Sequence, residues 1–509
     1  MDNKQDRVVR LRLNSASSGQ PLLDHPLLNS VKGKAYKNSF AMVFYDTPSG
    51  HLYRRGNVWL LNRKNDDDWQ QALVPVNSLF QSSRRPIEAS VKKAKKSGSG
   101  KKGKKGTVAG PPRDDIEPLF SLNFTRVHRT LDLPGAGLID FAEDIGTLTI
   151  GEQRSSFHEL LLQGAPKDAD RINQLALTLS FDLNGRLASG SSMARGYVLT
   201  LPSRRVLQFP SVESNPKKQS SEDIFIQHGH AMLDQLETMQ RPVEMGQELS
   251  AGPAVMGLGQ AIHQLRTLFI LYAPFTPSGV GHQLEKALID LEDRMALPYA
   301  WAWFHSHVFV DFVNRFHADR HLNTLRSRIT EHRQTAVEDV CSVLSEMDFT
   351  RLVLGLRSWL SCRQWRETLD QDQIHQLTKP PVRWLGEVLK PLDAQLMDLG
   401  RQMGDRNSDP ALFQRSLSVG HALSYGSSWM IDQPEKNSAL NQLQQLTQQL
   451  KRLVNLLRAQ DLIHTLSADH RCDTADLLTG WLASMENSAQ QRLRRVWQRY
   501  ERQTLWNGK

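Results

Sequence analysis

The hydrophobic repeat of this 509-residue chain changes character once, over residues 202–221, and that change limits the possible folds more than any other feature. Ahead of it the apolar residues alternate. Val9, Leu11 and Leu13 interleave with Val8, Arg10 and Arg12, a period of two that suits a strand with one buried face. Phe40–Tyr45, Asn57–Asn62, Leu138–Ala142, Thr147–Ile150, His158–Leu162 and Tyr197–Leu201 read as further strands, and Asp46-Thr47-Pro48-Ser49-Gly50 reads as a turn. Behind the change, Leu443, Leu446, Leu450, Leu453 and Leu457 recur at three- and four-residue steps, one face of a helix. Pro380-Pro381 and Asp409-Pro410 punctuate helices there. The expected fold class is α+β: an N-terminal antiparallel β-barrel or tunnel over residues 1–205, a polar linker at 206–221, and an all-α bundle of about eight to ten helices over 222–509.

Charge narrows the function classes. Sixty-three Lys and Arg against 54 Asp and Glu give a net charge of +9, which favours polyanionic partners. The excess is local. Eight lysines and no acid lie between Lys92 and Lys105, and without them the balance falls to about +1. The surrounding segment 84–115 is rich in Lys, Gly, Ser and Pro and reads as a disordered insertion within the strand-rich half. Such a run attracts polyanions with steep salt dependence, or it only solubilises a loop. Cys341, Cys362 and Cys472 are odd in number, far apart and outside any CxxC pair, which speaks against a disulfide framework or zinc site. The absence of an apolar leader after Met1 and of any long apolar run makes the cytoplasm the expected location, with no membrane partner.

Several short pieces, in order, resemble a CYTH domain, the triphosphate tunnel fold. They are Leu22-Leu23-Asp24-His25-Pro26, Phe44-Tyr45-Asp46-Thr47-Pro48, Leu52–Leu60 with Arg63, Phe124–Arg129, Ile139–Gly146 and Ala194-Arg195-Gly196-Tyr197. The second half is similar to a CHAD domain, the histidine-rich bundle that often follows CYTH. Ala261-Ile262-His263-Gln264-Leu265-Arg266 is like that family's VHQMR start, and Leu352–Leu360 is like its LLLALEAWL helix.

The resemblance implies a site, and the residues depart from it. CYTH enzymes act on triphosphates with Mg²⁺ or Mn²⁺ held by glutamates of a Glu-x-Glu-x-Lys strand. Val8, Arg10 and Arg12 stand at those positions here. The later acidic strand aligns with Phe157, Glu159, Leu161 and Gln163, where Glu159 alone is acidic, and Asp140 occupies another usual acidic position. Arg12, Arg54, Arg63, Arg126, Arg129 and Arg195 remain as implied phosphate-binding cations, with Asp140 and Glu159 as remnant metal ligands. Arginine in place of a metal carboxylate repels a divalent ion, so the expectation is little or no triphosphatase activity and no cofactor. By the CHAD resemblance the leading ligand is inorganic polyphosphate, with association with polyphosphate granules as a corollary. His263 and Arg266 are its implied binders in the first half. In the second half Gln414–Tyr425 is the best match, although little but Tyr425 is kept.

Other cations offer further candidates. Arg326 and Arg328 follow His305, His307, His317 and His321, a set better suited to an anion than to a metal. Arg492, Arg495, Arg499 and Arg502 make one stripe on a helix, either a polyanion rail or a solvated face. The first reading is a non-catalytic polyanion-binding protein, with no specific nucleic acid among its partners. The alternatives are a protein-interaction scaffold with vestigial sites, and a Mg²⁺- or Mn²⁺-dependent triphosphatase using Asp140, Asp144 and Glu159 with Glu143.

Overall fold

The computed structural model describes residues 7–13, 25–26, 35–65, 68–75, 115–132, 137–201, 215–244, 248–317, 321–403, 409–431, 437–469 and 473–502. The run Lys92–Lys105 lies outside them. The chain divides into two compact units. The first comprises residues 1–206, 244–250 and 344–361, and the second comprises 207–243, 251–343 and 362–509.

The first unit is built on eight antiparallel strands: β1 (Arg7–Arg12), β2 (Tyr36–Asp46), β3 (Asn57–Asn65), β4 (Asp68–Pro75), β5 (Glu117–Asp132), β6 (Leu138–Ile150), β7 (Gln153–Gly164) and β8 (Arg186–Leu187). Their order in the sheet is β4-β3-β2-β5-β6-β7-β1-β8. The sheet is open among the described residues, with β4 and β8 at its edges, which corrects the expected closed barrel. Part of the reason lies in the last expected strand. Tyr197–Leu201 is apolar enough to read as a strand, but Ser192–Thr200 forms helix α2, its N-cap Ser191 accepting from the Ala194 N–H. Gly196 lets this helix approach closely, since a Cβ there would meet the Phe120 ring at 2.4 Å.

Alternation assigns the two faces. Helix α2 covers the inner one, where Tyr197 lies edge-on to Phe44 and Phe120 and stacks on Tyr53 at 4.5 Å. Met42, Leu60, Leu122, Leu148 and Phe157 continue that core. Helix α1 (Ala169–Asp182) lies against β1 and β7 on the outer face, where Val9, Leu11, Leu160 and Leu162 are buried. A third helix of this unit, Met347–Ser361, packs on α1. The Thr350 hydroxyl accepts from the Leu187 N–H at 2.8 Å, and Arg351 lies over the Phe181 ring.

Between Ser221 and Arg502 run nine helices of at least fifteen residues among the described residues. They are α3 (Ser221–Glu244), α4 (Glu248–Leu271), α5 (Val280–Phe304), α6 (Leu322–Leu344), α7 (the Met347–Ser361 helix above), α8 (Leu385–Gln402), α9 (Pro410–Met430), α10 (Ser438–Asp469) and α11 (Asp473–Arg502). Asp409 caps α9, its side chain accepting from the Ala411 N–H. Leu443, Leu446, Leu450 and Leu453 are fully buried along α10, which packs against α9, α11 and α5. No helix of the described residues is long and apolar enough to cross a membrane.

Candidate functional site

On the inner face of the sheet the strand register sets four charged residues side by side. Arg12 of β1 lies opposite Glu159 of β7, Glu159 opposite Asp144 of β6, and Asp144 opposite Arg126 of β5. Arg126 and Asp144 form a bidentate pair at 2.6 and 2.7 Å, both side chains almost wholly buried. Burial pulls the Arg126 guanidinium down, but the Asp144 charge and hydrogen bonds carry it above its usual value. Glu159, only 2% exposed, accepts from the Ser192 hydroxyl at 2.7 Å and the Ser192 N–H at 3.2 Å, and it pairs with Arg10 at 3.5 Å and Arg12 at 3.4 Å. Arg10 is buried, which lowers its pKa despite Glu159 and Asp144. Arg195, on α2, is likewise lowered by burial and then by Arg12.

Three of the six arginines implied as phosphate binders, Arg12, Arg126 and Arg195, therefore gather at one cluster, with Arg10 beside them. The other three stand elsewhere. Arg54 is exposed on the turn His51–Arg54, which Asp46 holds by accepting from the N–H groups of Thr47, Leu52 and Tyr53. Arg63 pairs in register with Ala41 and Arg129 with Phe141, positions of the outer face. Glu143 is on the outer face too, bonded to the buried His158 at 2.8 Å. Asp140 shares the inner face, 3.1 Å from the Thr130 hydroxyl that donates to it and 3.4 Å from His128 Nε2. A divalent cation fits this donor set poorly. The oxygens of Asp144 and Glu159 are turned to guanidinium, hydroxyl and amide donors, and no group of three or more His, Cys, Asp or Glu among the described residues could hold a metal.

The helical unit holds a cavity of about 530 Å³ between α4, α5, α8, α9 and α10. It unites the two segments singled out in the sequence: His263 and Arg266 of α4 face Gln414, Arg415, His421 and Tyr425 of α9. The His263 and His421 rings meet edge to face at 4.6 Å. From α10 come Lys451 and Arg458, with Asn455 between them. Four cations thus share the wall with two carboxylates, Glu292 and Asp293 of α5. His263 Nδ1 donates to Glu292 at 3.2 Å, Arg266 pairs with the same carboxylate, and Arg458 donates to Gln414 at 3.2 Å.

Burial, then the charges of Lys451 and Arg266, push His263 down to about 4. Burial, then His263 and Lys451, push His421 down to about 3. Behind the wall, His228 Nδ1 bonds the Tyr425 hydroxyl at 2.5 Å, and burial holds that imidazole down to about 4. Burial also raises the Tyr425 phenol, which stays protonated and able to donate. The pocket at neutral pH therefore carries Arg and Lys charge beside neutral imidazoles.

Lys451 and Arg458 escape a reading of motifs. The signal for them is helical: Lys451, Val454, Asn455 and Arg458 follow an i, i+3, i+4, i+7 spacing along α10. The remaining expected cations stand apart from the cavity. Arg326 is exposed and Arg328 half-buried on α6, while Arg492, Arg495 and Arg499 are exposed on α11. His307 stacks on Trp303 at 5.1 Å, His305 lies 3.2 Å from Arg333, and His317 bonds the Asn314 carbonyl.

A comparison with curated proteins finds no match. Among solved structures, the CHAD domain from the plant Ricinus communis is similar over 58% of this chain and 96% of its own length, at 14% identity and a TM-score of 0.46. A Hippeastrum protein described as having a dominant triphosphatase activity is similar over 37% of this chain and 92% of its own length, at 13% identity and a TM-score of 0.22. The family comparison covers part of the bundle, and it settles that part: residues 249–415 are a CHAD domain.

Proposed function

We propose that the protein binds a polyanion without transforming it, inorganic polyphosphate being the leading ligand, and that the helical cavity is the binding site. The observation that carries this reading is the convergence of His263 and Arg266 with Arg415, Lys451 and Arg458 on one 530 Å³ cavity, within and beside the CHAD span. Arginine forks suit pairs of phosphate oxygens, and the Lys451 ammonium supplies a compact point charge. Tyr425, Gln414 and Asn455 add neutral hydrogen-bonding groups to the same wall.

The first unit resembles a CYTH domain that has exchanged catalysis for charge balance. Its carboxylates neutralise arginines on the inner face, so among the described residues the metal-assisted step of a triphosphatase has no ligand set. The test is titration of the full chain with long-chain polyphosphate over a salt series, with and without residues 92–105. Binding that persists without the lysine run supports the cavity. Binding lost with the run would make that segment the binder, and release of orthophosphate from tripolyphosphate with Mg²⁺ or Mn²⁺ would restore the enzymatic reading.

A further inference from the structure

Glu292 occupies an unusual place for an acid in an anion site. It reaches across from α5 and engages both binders contributed by the α4 motif, Arg266 through one oxygen and His263 Nδ1 through the other. Its side chain is 22% exposed, so the pair is reachable and can exchange partners. Among the described residues Lys451 and Arg458, on the facing helix, have no carboxylate hydrogen-bonded to them; Arg458 is held by the neutral Gln414 and feels Asp293 through charge alone. The cavity is therefore divided: one side offers cations ready for an anion, and on the other a carboxylate already stands in for it.

We propose that Glu292 is a built-in competitor that sets the charge threshold of the cavity, an inference that rests on the anion-binding reading above. A singly or weakly charged anion gains little by exchanging with a carboxylate of similar charge that is already in position. A chain of phosphates engages Lys451 and Arg458 first and then displaces Glu292 from Arg266, each step adding a charge-assisted contact. Glu292 thereby rejects orthophosphate and common carboxylates while admitting a multiply charged phosphate chain, a device of specificity by an element unfavourable to the wrong ligand. His263 is freed by the same displacement. Its Nε2, which makes no hydrogen bond among the described residues, becomes a second donor once the ring takes a proton.

The test is calorimetric titration of the full chain, lacking only residues 92–105, with tripolyphosphate and with orthophosphate. Four proteins are compared: the parent, Glu292→Gln, Lys451→Ala, and Glu292→Gln combined with Arg266→Gln. Glu292→Gln should bind tripolyphosphate about tenfold more tightly than the parent. It should also acquire orthophosphate binding that the parent lacks, and adding Arg266→Gln should cancel both gains. Unchanged affinities in Glu292→Gln, with binding lost in Lys451→Ala, would overturn the inference and leave the cavity as an anion site with Glu292 as a brace. Failure of both parent and Glu292→Gln to bind tripolyphosphate would overturn the anion-binding reading and this inference with it. Circular dichroism of each variant separates misfolding from lost binding. If Glu292→Gln misfolds, Glu292→Asp, too short to hold both partners, must show the same gain in smaller measure.

Discussion

Replacing Glu159 by Gln removes one negative charge from a cluster that joins Arg10, Arg12, Arg126 and Arg195 with Asp144 and Glu159, while Glu244 also acts on Arg195. The Ser192 hydroxyl can keep an amide oxygen, but the other carboxylate oxygen, which accepts from the Ser192 N–H and Arg10, becomes an NH2 facing donors, so the change removes a charge and an acceptor together. Arg10, 9% exposed, loses the one carboxylate bonded to it among the described residues, while Arg12 is half-buried at 32% exposed. Breaking a buried pair by removing one partner costs about 3–5 kcal/mol. The contacts to Glu159 are long, at 3.5 and 3.4 Å, which argues for the lower end. The half-buried and long Arg12 pair adds about 0.5 kcal/mol. The expected loss is about 3 kcal/mol in the first unit, a fall of about 1 M in its urea midpoint at a slope near 3 kcal/mol/M. The assay is hydrogen exchange along a urea series, followed in peptides of β1 and β7, because a chain of two units need not unfold in one step. Sulfate or tripolyphosphate should restore part of the loss by screening the arginines. A midpoint within about 0.2 M of the parent would refute the claim that Glu159 serves as charge balance.

Other perturbations probe the two units separately. His228, His263 and His421 are held neutral in the fold by burial, at about 4, about 4 and about 3. The unfolded chain therefore binds more protons below about pH 6.5, and stability should fall as pH drops from there toward 4, read as a declining melting temperature of the bundle. In the cavity the charged groups around His263 and His421 are Arg266, Arg415, Lys451, Arg458, Glu292 and Asp293. A bound polyanion outweighs them and raises both imidazoles, so proton uptake on binding should appear near pH 6 as a buffer-dependent enthalpy. Gly196→Ala should destabilise the first unit by about 1–3 kcal/mol, since the new Cβ meets the Phe120 ring. Gly400→Ala should do the same to the second, where a Cβ would collide with the Trp497 ring. Either can be read by urea unfolding.

Much of the fold is legible in local patterns because those patterns report burial. Val9 and Leu11 alternate with arginines since β1 presents them to α1, and Leu443 to Leu453 repeat because α10 turns them inward. Local pattern fails where tertiary contacts decide. Tyr197–Leu201 carries strand-like residues, yet the Ser191 cap and the close seat of Gly196 on Phe120 make it the end of a helix. Met347–Ser361 looks like any amphipathic helix of the second half, and only its packing on α1 places it with the sheet. The site was half visible. His263 and Arg266 stand in a motif, whereas Lys451 and Arg458 are separated from it by nearly two hundred residues of chain and meet it only through helix packing. Register, too, is a long-range property. Nothing local says that Arg12, Glu159, Asp144 and Arg126 form one row, or that Arg63 and Arg129 fall on the other face.

The most direct measurement is a titration of long-chain polyphosphate into the protein lacking residues 92–105, beside the same protein with Lys451→Met and Arg458→Met. These changes keep side-chain bulk in the wall and remove two of its four cations. Two lost charge-assisted contacts at about 1.5 kcal/mol each should weaken binding about a hundredfold. The salt dependence should become shallower as well. Equal affinity in the two proteins would place the polyanion elsewhere and contradict the cavity as its site.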